Sequence, residues 1–188
     1  MFEEVTAMRY PNAAQGLRMM FFGQILMIVG VLLAWVPLVG ALLIIAAPIA
    51  ELVGVYKAGA DDENYRGALV FVALVLMVNF ISGFKGEGFL GSILDMVSEV
   101  LNLMVVFSVC NTTSNLLHSI GREDLSQRGA SVIKIYAACT VISIVCQALG
   151  FIPIINIAAA LVLAVSSIVQ LVGYVMYLLF LNGSGKAL

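Results

Sequence analysis

Three acidic residues, Glu51, Asp95 and Glu99, stand inside apolar stretches that contain no Lys or Arg. A charge at membrane depth is costly unless it is paired, hydrated or protonated, so intramembrane acids are the natural starting point for function. Asp95 and Glu99 are four residues apart and share one face of a helix. A shared proton or a bound cation would relieve the repulsion between them. Ser92, Ser98 and Asn102 fall on the same third of the helical circumference, with Thr113 further along. One wall of this segment is therefore polar and the rest oily.

The expected chemistry is capture and passage of a cation, a proton or a small solute. Glu99 is the expected binding centre, with Asp95 and Asn102 as its neighbours, and Glu51 with Gln170 as a second, inner station. Gln24 belongs to the inner half, whereas Asn79, Gln147 and Asn156 belong with Asp95 to the outer half. Two bland readings stand beside this one. Asp95 can lie at an interface near Lys85, and Glu51 can reach out toward Lys57; Asn and Gln also serve as interhelical glue. The rival functional reading is a non-transporting membrane partner, an assembly or accessory subunit whose polar groups bind another helix.

Catalysis has little to stand on. No serine elbow, zinc helix or phosphate loop occurs, so no catalytic residue is assigned. His118 is the single histidine, and with Cys139 and Cys146 it offers no close-spaced pair of metal ligands. No cofactor and no metal are expected. Asp61, Asp62 and Glu63 are expected to cap the third helix and complement its dipole. Cys110, Cys139 and Cys146 all fall in apolar runs and read as reduced packing thiols.

The elements that position these groups follow from composition. Apolar residues make up 62% and charged residues 11% of the 188-residue chain, where soluble domains carry charge on about a quarter of their residues. An all-α, polytopic membrane bundle is the class this implies, with the lipid bilayer as its first partner and no nucleic-acid footprint. The run Met19 to Tyr56 would extend about 57 Å as one helix, nearly twice the ~30 Å hydrocarbon core, so it must fold back. Trp35-Val36-Pro37 supplies the break, and Gly150-Phe151-Ile152-Pro153 divides the charge-free run Ile135 to Gly185 in the same way. Six spans result, at 19–36, 38–56, 67–84, 89–120, 132–150 and 153–182, forming a single domain (19–185) between a cytoplasmic N-terminal segment (1–18) and a short C-terminus (186–188).

Basic residues orient the chain. Arg9, Arg18, Lys57, Arg66, Arg122, Arg128, Lys134 and Lys186 fall on one side of this topology and Lys85 alone on the other. By the positive-inside rule both termini face the cytoplasm of a plasma membrane. The short connections and modest size point to a homo-oligomer or to docking on another membrane protein.

The spans group as three hairpins, and the first and third align. Setting Pro37 against Pro153 matches Gly23–Pro37 to Cys139–Pro153 without a gap, and Ile49–Gly54 then matches Ile168–Gly173 after a three-residue insertion. Both copies run in the same direction, which makes a parallel internal repeat. In outline six spans in so short a chain resemble the substrate-binding subunits of energy-coupling-factor vitamin importers, and three same-direction hairpins resemble mitochondrial carriers. The first helix lacks the alanine-every-fourth pattern of the former, and Pro37 and Pro153 lack the charged signature of the latter. The chain is similar in general look to six-helix proteins of the bacterial inner membrane, a likeness that implies no activity.

Overall fold

A computed structural model describes residues 9–82, 89–150, 152 and 156–188. Lys85 and Pro153 lie outside the described residues, as does the first part of the N-terminal segment.

Among the described residues six helices follow one another: α1 (Pro11–Leu32), α2 (Pro37–Ala58), α3 (Tyr65–Ser82), α4 (Phe89–Ser119), α5 (Glu123–Gly150) and α6 (Asn156–Ala187). All six are long and apolar enough to cross a membrane, the architecture of a multi-pass membrane protein. No strand occurs among the described residues. Proline sets two helix starts, Pro11 and Pro37, where a missing N–H costs nothing. Gly121 ends α4. Its φ of +77° lets the N–H of Arg122 reach back to the Leu117 carbonyl at 2.9 Å and its own N–H reach the His118 carbonyl at 3.0 Å, the paired bonds of a glycine-terminated helix.

The helices overrun the expected spans at the basic end. α1 begins at Pro11 instead of Met19, α5 at Glu123 instead of residue 132, and α6 continues to Ala187. The 31 residues of α4 reach about 46 Å, so this helix projects beyond a ~30 Å hydrocarbon core. Polar first and last turns are legal helix once water can solvate them, which is why charge position alone underestimates helix length.

Each helix packs on its neighbours in sequence, and α6 packs back on α1 to close the ring. The tightest seam is α1 against α2. Gly16, Gly23 and Gly30 recur every seven residues, are all buried, and lie directly against Gly54 with Ala58, Ala47 with Ala50, and Leu43 with Ile44. Small residues let the two backbones approach closely.

The apolar core fills only one end of the ring. It is built from Leu17 and Met20 early in α1, Val55 late in α2, Tyr65 and Ala68 early in α3, Val109 and Leu117 late in α4, Val132 in α5, and Tyr177, Phe180 and Leu181 late in α6. This is the end that carries the α2–α3 and α4–α5 connections. Toward the opposite end large side chains such as Leu38, Phe80, Leu90 and Leu161 are exposed, as expected of surface that meets lipid.

Polar bonds tie the packed end together. Tyr65 and Thr113 share a buried hydroxyl contact of 2.7 Å. Arg18 donates to the Gly185 carbonyl at 2.8 Å. Asp61 corrects the expectation for its acidic cluster: it accepts from the backbone N–H of Ala13 at 2.8 Å and from Asn12 at 2.7 Å, so it caps α1 instead of α3. Asp62 stays local and accepts from the N–H of Asn64 at 2.8 Å, turning the chain into α3.

Candidate functional site

Pro48 sits inside α2. Having no N–H, it leaves the Ile44 carbonyl one turn earlier without its helical donor. One turn later on the same helix stands Glu51. Pro48, Ile44 and Glu51 line one side of a cavity of about 290 Å3, whose other walls come from Gln24 and Met27 of α1, Val72 to Asn79 of α3, and Asn102 of α4. That is close to the lower bound, roughly 300 Å3, of small-molecule sites.

The polar groups of this cavity are wired to the bundle. Gln24 follows Gly23, whose lack of a side chain brings α1 onto the Ala47 carbonyl and the Glu51 backbone. The side chain of Gln24 is thereby placed to hydrogen-bond Glu51. On its other side the Tyr174 hydroxyl of α6 donates to Gln24 Oε1 at 2.7 Å and lies 3.2 Å from the Gln24 carbonyl. Gln24 thus stands between Tyr174 and Glu51, with the three residues on three different helices. On the α3–α4 side Ser98 donates to Asn79 Oδ1 at 2.9 Å.

Glu99 has a different environment. It faces α5, where Ser143 Oγ donates to Oε1 at 3.0 Å and Gln147 Nε2 donates to the same oxygen at 2.7 Å. Gln147 and Ser143 also contact each other at 3.0 Å. Both donors serve one oxygen, while Oε2 is buried with no partner among the described residues. No Lys or Arg approaches either carboxylate: the ion pairs among the described residues are Glu63–Arg66, His118–Glu123 and Arg122–Asp124, all on exposed surface.

The five residues expected from sequence are therefore divided. Glu51 and Asn102 share the cavity, and Glu99 joins a separate cluster with Ser143 and Gln147. Asp95 is exposed on α4 and does not bond Glu99, and Gln170 is exposed on α6, far from acting as a mate for Glu51. Gln24 takes that place. Pro48, Ser143 and Tyr174 were not singled out from the sequence, although a proline three residues before the acid was a legible signal. Neither Lys57 nor any other base neutralises Glu51 among the described residues.

As to metals, no group of three or more His, Cys, Asp or Glu side chains converges among the described residues. Cys110, Cys139 and Cys146 are buried free thiols. A cation in the cavity would instead meet one carboxyl group and the side-chain amides of Gln24, Asn79 and Asn102. No protein-family model matches the chain, and comparison with curated proteins and with solved structures gives no match.

Proposed function

We propose that the protein is a small translocator that passes a cation, a proton or a small polar solute through the bilayer, with the Glu51 cavity as its binding station. The observation that carries this reading is an acid without a basic mate among the described residues, lining a cavity inside apolar helices beside Gln24, whose side chain accepts from Tyr174. Acids placed so are expensive, and lining an ion or solute path is the usual reason they persist. Asn102 belongs to this station. Glu99, with Ser143 and Gln147, forms a second station where α4 meets α5, three residues along the helix from Asn102. Asp95 and Gln170 have no part in either.

The helices are read as three hairpins with both termini in the cytoplasm, on the asymmetry of the basic residues. The repeat of the first and third hairpins is supported by matching contacts. Gly54 lies against α1 and its counterpart Gly173 against α5. Buried Gly23 and Gly30 correspond in that alignment to buried Cys139 and Cys146.

The test is flux. Purified protein in liposomes carrying an internal pH or cation indicator should pass its solute, and Glu51→Gln should slow passage at least tenfold while the melting temperature is kept. Flux that is unchanged by Glu51→Gln removes the station. A second reading is favoured by Asp95, an exposed acid on a membrane helix with no partner among the described residues. A helix of another membrane protein, or of a second copy, would satisfy it. Asp95→Asn would then abolish co-purification of that partner and leave flux intact.

A further inference from the structure

A second cavity, of about 340 Å3, opens where α2 ends and α3 begins. Its rim carries two cations from different helices, Lys57 in the last turn of α2 and Arg66 in the first turn of α3. Its inner walls are apolar: Val55 and Tyr56 on α2, Leu69 on α3. Because α3 runs away from the α2–α3 connection, Leu69 lies about 4.5 Å further along the helix from that connection than Arg66. Charge stands at the rim, hydrocarbon below it.

We infer that this cleft is a binding site for an anionic glycerophospholipid, with the phosphate between Lys57 and Arg66 and an acyl chain descending the α2–α3 seam. Tyr56 is 72% exposed, placed at the level where aromatic rings sit among headgroups. The acids of the α2–α3 turn do not fill the place of the phosphate. Asp61 is committed to the start of α1 and Asp62 to the Asn64 N–H. Glu63 pairs with Arg66 at 3.1 Å, but both side chains are largely exposed, and such surface pairs are worth little. The half-buried Lys57 has no partner among the described residues. Two convergent cations at a membrane boundary over an apolar slot match the shape of an anionic lipid, polar at one end and apolar at the other. This inference stands apart from the translocation reading, since it uses no residue of the Glu51 cavity.

The experiment is lipid retention by the full chain in a mild non-ionic detergent, followed by native mass spectrometry during titration with phosphatidylglycerol or phosphatidylcholine. One phosphatidylglycerol is expected to stay bound in preference to phosphatidylcholine. Lys57→Gln and Arg66→Gln should each weaken it about fivefold, the worth of one basic side chain at a membrane surface. Lys57→Arg should restore most of it, and Lys134→Gln, which removes an exposed charge elsewhere at this end, should leave it unchanged. Arg66 is exposed, so Arg66→Gln keeps the test intact even where Lys57→Gln fails to fold. Equal retention of the two lipids, or an equal loss in Lys134→Gln, overturns the site. Displacement of the lipid by millimolar inorganic phosphate overturns the lipid assignment in favour of a free phosphate.

Discussion

At the scale of single residues, what separates Glu51 from Glu99 is the number of donors and the space left over. Glu99 receives two donors on one oxygen from α5, whereas Glu51 has Gln24 beside it and open volume before it. Replacing Gln147 with Leu removes the shorter of the two bonds to Glu99 Oε1. That should cost about 0.5–1.5 kcal/mol, read as a lower melting temperature in detergent, and the loss should shrink when Glu99→Gln is added. A double-mutant cycle that finds the two changes additive would deny the contact. Tyr174→Phe should preserve folding yet release Gln24 Oε1, and so reduce flux by less than Glu51→Gln does. Charge placement and helical periodicity pick out Glu51, Asn102 and Glu99, and the structure puts Glu51 and Asn102 at one cavity and Glu99 against α5. Periodicity could not tell that Asp95, one turn from Glu99, faces outward, because two residues on the same third of a helix can still fall on opposite sides of the line where a neighbouring helix makes contact.

At the scale of elements, α2 carries the most instructive conflict. Its proline removes a helical hydrogen bond beside the cavity, while its small residues weld the adjoining face to α1. Rigid on one side and broken on the other, α2 is suited to hold Glu51 in place without closing the space beside it. Pro48→Ala should restore the hydrogen bond to the Ile44 carbonyl, raise thermal stability by about 1–3 kcal/mol and lower flux. An unchanged melting temperature would mean that the break is already compensated. On the welded face, Gly16→Val places side-chain carbons against the Gly54 carbonyl and Ala58 backbone, contacts with no flexible neighbour to yield. Loss of folded protein is the expected result, visible as aggregation in size-exclusion chromatography. The α1 start makes a gentler test: Asp61→Ala removes a cap built from two hydrogen bonds and should cost about 1–2 kcal/mol, against no effect on α3.

At the scale of the whole molecule, the ring is packed at its basic end and exposed at the other. The packed end holds the large buried residues Tyr65, Tyr177 and Phe180 together with the terminal contacts of Arg18 with Gly185 and of Tyr10 with Leu188. Conformational change, if it accompanies passage, is cheapest where burial is least, at the end away from this core. Amide exchange should accordingly be slowest around Tyr65, Val109 and Phe180 and faster toward Trp35 and Leu161. Uniform protection from end to end would contradict that distribution.

The sequence by itself determined the class of molecule and the number of apolar helices among the described residues. Those follow from quantities that add along the chain: apolar length against bilayer thickness, helix-breaking prolines, and the cost of charge in hydrocarbon. Which polar groups meet was decided only by tertiary structure. Gln24 reaches Glu51 because glycines every seventh residue bring α1 onto α2, and Tyr174 reaches Gln24 because α6 closes the ring on α1. Contacts between distant segments depend on close approach and helix rotation, and an error of one residue in either moves a side chain by about 100° around its helix.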